Sequence, residues 1–236
     1  MATNYDVVYI LREGENEELR YSLRTLVNLP HGKVVFVGGK PEGIEPDLWI
    51  PTLQDKGKWA NSGNSIRTVC EDDRISDNFY LFNDDFFVMK PIRTLPIYRN
   101  HNLTRFALMI SKNGRRYSEY VEDRINPTIQ ELRKRRMTIW NFEVHVPMLI
   151  NRNKMLKICE EFPALAKRSC YGNYYHLQGI DIDPRGMNDG SVQSPKAEFN
   201  PDRIFISTTD ESWQGVVGKQ IKKLFPNPSK YELKKS

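Results

Sequence analysis

The chain of 236 residues is poor in cysteine, holding only Cys70, Cys159 and Cys170, an odd number without C-x-x-C spacing. That scarcity argues against a disulfide framework or a zinc site and fits a reducing cytosol. No apolar run approaches the roughly 20 residues that a membrane-spanning helix needs. The opening MATNYDVVYI places no basic stretch before its short apolar run, so it does not read as a signal peptide. Several nucleotide and hydrolase fingerprints are also missing. There is no G-x-x-x-x-G-K-[ST] and no G-x-G-x-x-G, and Gly14 and Gly38-Gly39 alone do not make a nucleotide fingerprint. There is no G-x-S-x-G or H-E-x-x-H, which removes serine-hydrolase and zincin readings.

What is present suits a packed core. Hydrophobic residues make up 39%, with 11 Tyr, 11 Phe and 4 Trp, which excludes a disordered or collagen-like chain. Lys and Arg number 35 against 30 Asp and Glu, a net +5 that many ordinary proteins reach. Position says more than the total. Lys112, Arg115, Arg116, Arg124, Arg133, Lys134, Arg135 and Arg136 crowd the segment 112–136. Lys219, Lys222, Lys223, Lys230, Lys234 and Lys235 stud the end of the chain. The plainer reading is solvated helix faces and a basic tail, and it is preferred. The sharper one is a rim that attracts a polyanionic acceptor.

Periodicity predicts a strand over 5–10 and a helix that buries Leu19, Leu23, Leu26 and Val27. Asn16 is its N-cap and Pro30-His31-Gly32 its stop. A second strand over 33–37 completes a unit of βαβ size. Gly14 and Asn16 then fall at the carboxyl end of the first strand, where open α/β sheets bind ligands. A polar loop is expected over 59–65, then a helix over 65–72. The apolar strand 79–82 runs abruptly into Asn83-Asp84-Asp85. Segment 104–111 is expected to return to the sheet, and 117–136 to be helical with an interruption at Asn126-Pro127. A helix is expected over 151–162 and a surface loop over 181–194. A strand over 203–206 precedes a helix over 212–224 with Val217, Ile221 and Leu224 inward. One domain spans 1–236, with no repeat and no linker.

The paired acids are the most informative local feature. Carboxylates leaving a buried strand can hold Mg²⁺ or Mn²⁺, which in turn can bridge a nucleotide diphosphate. Asn-Asp clusters also end strands merely by bonding their own backbone. Phe82 and Phe86 on either side favour function, because burying acids without a partner is costly. His145, in an apolar strand-like segment, suits a general base or ligand, although such residues are more often satisfied core histidines. Arg20 and Arg24, four apart on the first helix, suit phosphate by their forked donors. Pairing with Glu17 or Glu18 on a solvated face is the plainer role.

Four segments in order resemble the Stealth family of sugar-1-phosphate transferases, which includes bacterial capsule polymerases and the lysosomal-enzyme N-acetylglucosamine-1-phosphotransferase. Asn16 to Arg24, NEELRYSLR, is similar to that family's N-E-L-R-Y-S-L-R. Phe79 to Phe87, FYLFNDDFF, is similar to F-L-Y-F-N-D-D-F-F, the family's most specific stretch. His145-Val-Pro, with the helix and Arg168 that follow, resembles the third region. Ile204 to Asp210, then LFPNPSKYE from Leu224, resembles the fourth. The resemblance implies an α/β fold of GT-A type, Rossmann-related, with a mixed central sheet flanked by helices. It also implies a nucleotide-sugar donor, a UDP-sugar above all, and a divalent metal, Mn²⁺ or Mg²⁺.

By matching position, Asp85 becomes the metal ligand or catalytic acid with Asp84 beside it, and Asp210 a second metal-side acid. His145 becomes the general base or a phosphate contact, and Arg168 a diphosphate contact. Arg20, Arg24, Asn64 and Arg67 fall in the donor pocket. Two departures stand out. Ile10-Leu-Arg-Glu-Gly14 replaces the family's Trp-Val-Asp-Gly, and Arg67 stands where the family has Glu. They leave two reactions open, transfer of sugar-1-phosphate and transfer of the sugar alone. The acceptor is a glycan or a hydroxymethylated DNA base, as in compact phage-encoded relatives. A binding module that kept the fold and lost catalysis is the third reading.

Overall fold

A computed structural model describes residues 4–112, 114–181 and 199–233. The loop expected over 181–194 lies outside those residues after Asp181, as do Lys234 and Lys235. The first strand, β1 (Asp6–Leu11), is followed by α1 (Glu17–Thr25) and a single 3-10 turn, Leu26–Asn28. Then come β2 (Val34–Gly38), β3 (Leu48–Ile50), α2 (Lys58–Glu71), β4 (Asn78–Phe82) and β5 (Phe86–Val88). Strands β1 to β4 are mutually parallel where they pair, and β8 (Met148–Asn151) closes the sheet antiparallel to β4. The strand order is β3-β2-β1-β4-β8. The result is a mixed sheet flanked by helices, compatible with a Rossmann-like arrangement.

Alternation along β1 sorts the two layers. Val7, Tyr9 and Leu11 pack with Leu19 and Leu23 of α1 on one face. Val8 packs with Ile66, Val69 and Cys70 of α2 on the other. Both faces are covered, so the strands read as nearly unbroken apolar runs. Fully burying each Val, Leu or Phe contributes about 1.5–3 kcal/mol. The chain steps from β1 to β2 on one side and returns through α2 to β4 on the other. The switch point therefore lies between β1 and β4, where such sheets bind ligands.

Several segments differ from expectation. The polar stretch 59–65 is not a loop but the first half of α2, whose later turns bury Ser65, Ile66, Val69 and Cys70 against the sheet. Packing of that face overrides the weak helix propensity of Asn, Ser and Gly. Segment 104–111 is helical, as α3 (Leu103–Ile110), and the strand lies just before it, as β6 (Tyr98–Asn102). Leu103, Phe106, Ala107 and Ile110 repeat with helical period, and Asn102 caps the helix by accepting from Arg105 N at 2.9 Å. Pro127 does not interrupt α5 (Asn126–Lys134), because it sits in the first turn, where a missing N–H costs nothing. The irregularity lies one step earlier, in a π turn, Val121–Ile125, that follows α4 (Arg115–Tyr120).

His145 lies in a loop between β7 (Trp140–Asn141) and β8, not in a strand. Next come α6 (Arg152–Glu161), α7 (Lys167–Tyr174) and β9 (Ile180–Asp181). The C-terminal segment holds β10 (Phe205–Ser207), α8 (Asp210–Gln214) and α9 (Val216–Leu224), so the last helix is two, broken at Gly215. Val217 and Ile221 are fully buried, whereas Val27 and Leu224, expected inward, are 81% and 53% exposed. No described helix is long and apolar enough to cross a membrane.

Candidate functional site

Two neighbouring parallel strands, β1 and β4, deliver the polar residues of the switch point. Past the end of β1, Asn16 caps α1, its Oδ1 accepting from Leu19 N at 2.9 Å. The other end of the same amide donates from Nδ2 to Asp84 Oδ2 at 2.5 Å. The cap thus also tethers the acids that leave β4. Asp85 Oδ2 lies 3.5 Å from His145 Nε2, while Asp85 Oδ1 is buried and has no hydrogen-bond partner. Burial, and then the charges of Asp84 and Glu18, push the Asp85 carboxyl well above its usual range. An acid held this way gains from a cation.

Glu18, in the first turn of α1, is a third acid beside the pair. Burial first, then the charges of Asp84, Asp210 and Glu17, raise its pKa to about 7, against the lowering effect of a hydroxyl from Thr208. Thr208 follows β10 and also donates its backbone N–H to Asp85 O at 3.2 Å. The His145 ring stands edge-on to Phe86, with centroids 4.9 Å apart, and 43% of its side chain remains open to solvent. Partial desolvation, and then the charges of Arg168 and Lys58, lower its pKa and favour the neutral imidazole, while the part of the ring open to solvent limits that fall. A neutral ring beside a reactive centre can accept a proton.

Helix α7 sets the His145 loop from two points. Buried Arg168 donates from Nη1 to Val146 O at 2.6 Å, its guanidinium 5.5 Å from the Phe86 ring centroid. Ser169 N donates to Glu143 Oε1 at 2.9 Å. Lys58, the first residue of α2, carries a charge that acts on both Asp85 and His145. Its ammonium lies 5.0 Å from the Trp59 ring, which in turn packs at a tilt against Tyr120, centroids 4.3 Å apart.

The structure brings Asp84, Asp85, His145 and Arg168 together. It leaves the other sequence-derived positions elsewhere. Arg24 binds Glu232 with two parallel bonds of 2.8 and 2.7 Å and reaches Phe225 O and Pro226 O. Arg20 donates to Glu42 O and Gly43 O. Both arginines thus tie the C-terminal segment and the 42–43 turn to α1. Arg67 is exposed and pairs with Glu71, one turn along α2, and Asn64 is exposed on the same helix. Asp210 is exposed at the start of α8 and reaches the site only through its field on Glu18.

The expected metal set of Asp84, Asp85 and Asp210 is not assembled, and among the described residues no group of three His, Cys, Asp or Glu side chains is arranged to hold a metal. Two adjacent carboxylates still fit Mg²⁺ or Mn²⁺, because Mg²⁺ is commonly held by one or two carboxylates together with substrate phosphates. The unpartnered Asp85 Oδ1 is the atom such an ion would satisfy.

Several basic residues of the segment 112–136 have partners within the chain. Arg115 pairs with Glu119, Lys134 with Glu131, and Arg135 with Glu131 and Glu161. Arg124 donates to Ala164 O. Sequence reasoning missed Glu18, Lys58, Glu143 and Thr208. Only Glu18 and Thr208 lay inside segments that the resemblance had already marked. No known family model matches the chain, and no curated protein matches it.

Proposed function

We propose that the chain is a metal-dependent transferase that takes a nucleotide-sugar donor, a UDP-sugar above all, and passes sugar-1-phosphate to an acceptor hydroxyl. The observation that carries this reading is the unpartnered Asp85 oxygen at the switch point, with His145 Nε2 3.5 Å from the other oxygen of the same carboxyl. The sequence resemblance supports it, and the mixed sheet flanked by helices is compatible with it. Asp84 and Asp85 would hold the divalent cation. When bound, that cation would neutralise charge on the donor diphosphate.

The chain's own residues do the rest. Neutral His145 takes the acceptor proton at Nε2 as the acceptor oxygen attacks the β-phosphorus. The phosphoanhydride bond breaks and UMP leaves. Lys58 and Arg168 offset the negative charge that gathers around the phosphates. Asn16 keeps Asp84 in place, and α7 keeps the histidine loop in place.

Transfer of the sugar alone is the weaker alternative. One of the two departures that favoured it, Arg67, lies on the solvent side of α2 paired with Glu71. A glycan hydroxyl is preferred to DNA as the acceptor, because Arg115, Arg124 and Arg135 of the basic segment already have partners in the chain.

The test is product analysis by mass spectrometry after incubation with Mn²⁺ and a panel of UDP-sugars, offering a small glycan and hydroxymethylated DNA as acceptors. UMP with a phosphate-bearing product supports the proposal. UDP with a plain glycosyl product moves the chain to glycosyl transfer. No consumption of any donor, in the wild type and Asp85→Asn alike, would overturn it and leave the binding-module reading.

A further inference from the structure

The C-terminal segment reaches the site through β10. That strand pairs antiparallel with β5, in the register Phe205↔Val88, Ile206↔Phe87 and Ser207↔Phe86. One residue further on, the register sets Thr208 beside Asp85, which immediately precedes Phe86. Thr208 is 3% exposed, and both of its donors are used on the site. Its N–H donates to Asp85 O at 3.2 Å, and its hydroxyl donates to Glu18 Oε1. Two sides of the crevice, the turn after β4 and the first turn of α1, are thereby joined by one residue of a third element.

The neighbouring Thr209 does different work. Its side chain accepts from Ser212 N at 3.3 Å and caps α8. Behind Thr208 the segment is fastened to the same turn of α1. The Trp213 ring stacks on Phe87, nearly parallel at 5.6 Å, and its Nε1 donates to Glu17 Oε2 at 2.9 Å. Lys222 Nζ reaches the same oxygen at 2.7 Å. A buried hydroxyl that faces an acid is costly to leave unmatched and directional when matched.

We propose that Thr208 is a positioning residue of the transferase site, holding the Glu18 carboxyl and the Asp85 main chain in one geometry beside the Asp84–Asp85 pair that would hold the cation. The role rests on the function proposed above. It makes the C-terminal segment part of the catalytic unit, although no titrating or nucleophilic group comes from Thr208 itself.

The test compares Thr208→Val, which keeps the shape and removes the hydroxyl, with Thr208→Ser, which keeps the hydroxyl. Three readouts on the full chain are Mn²⁺ affinity by calorimetry, kcat and donor KM, and hydrogen exchange of peptides covering 16–20 and 83–87. Residues that orient metal ligands typically alter metal affinity or activity by about 10–100-fold. Thr208→Val is therefore expected to weaken Mn²⁺ binding and lower kcat by about tenfold or more. At saturating Mn²⁺ donor KM should stay nearly unchanged, and Thr208→Ser should restore the wild-type values. Wild-type Mn²⁺ affinity and kcat in Thr208→Val would overturn the proposal while leaving the function intact. A loss that serine does not restore would also overturn it, since the hydroxyl would then not be the cause. If the wild type neither binds Mn²⁺ nor turns over, the proposed function fails, and the catalytic role of Thr208 falls with it. Exchange then decides whether the residue orders the site: faster exchange at both peptides in Thr208→Val, reversed in Thr208→Ser, shows that it does, and unchanged exchange shows that it does not.

Discussion

Replacing Glu18 by glutamine keeps the shape of the side chain and its acceptor for the Thr208 hydroxyl, and removes only the titrating charge. In the folded chain the Glu18 carboxyl titrates at about 7, raised chiefly by burial and then by its acidic neighbours. In the unfolded chain it titrates near an ordinary value of about 4.3. Between those two values the folded state binds more protons than the unfolded state, so stability falls as the pH rises. The penalty is absent below the unfolded value and complete above pH 7. A difference of roughly 2.7 units corresponds to about 3.7 kcal/mol, and the water that still reaches this half-buried side chain reduces that to about 2 kcal/mol. Glu18→Gln should therefore stabilise the metal-free chain by about 2 kcal/mol more at pH 8 than at pH 4.5. Urea unfolding followed by tryptophan fluorescence, with chelator present, measures the difference. Equal effects of the substitution at the two pH values would refute the reasoning, as would net destabilisation at pH 8.

Two further outcomes follow from the same geometry. His145→Asn should lower kcat by about 10²–10⁴-fold, the range for loss of a general base, with little change in donor KM; steady-state kinetics with the productive donor checks it. Arg24→Ala should destabilise the chain by about 2 kcal/mol in urea unfolding, because it removes the paired charged bonds to Glu232 and leaves that carboxylate only Ser229 N and the more distant Arg20. An Arg24→Ala variant of wild-type stability would show that the clamp between α1 and the C-terminal segment contributes nothing.

Strands β1, β2 and β4 were readable because each is an apolar run closed by a turn signal, whereas three-residue β3 was not expected; Asn16 does cap α1 as its side chain allows. The paired acids were readable for the same reason: Asp84 and Asp85 interrupt an aromatic run where a buried strand must end. Helices α2 and α3 were misread. In α2 the packed face is formed late, by Ile66, Val69 and Cys70, after a polar first half that carries no amphipathic signal. In α3 a helical repeat over eight residues resembles a short buried strand.

Arg20 and Arg24 show the limit of pattern at the site itself. Their spacing is the same whether they face a phosphate or the C-terminal segment, and only the tertiary structure places Glu232 beside them. Thr208 and Lys58 lay beyond reach for the converse reason. Nothing local distinguishes them, and their roles arise from contacts with residues distant in sequence.

The most direct test of the central claim is calorimetric titration of UDP into the protein with and without Mn²⁺, repeated with Asp85→Asn. UDP should bind measurably only with the metal, and Asp85→Asn should weaken metal-dependent binding at least tenfold, a loss of about 1.4 kcal/mol or more. UDP binding of equal strength without metal, unaffected by Asp85→Asn, would contradict it.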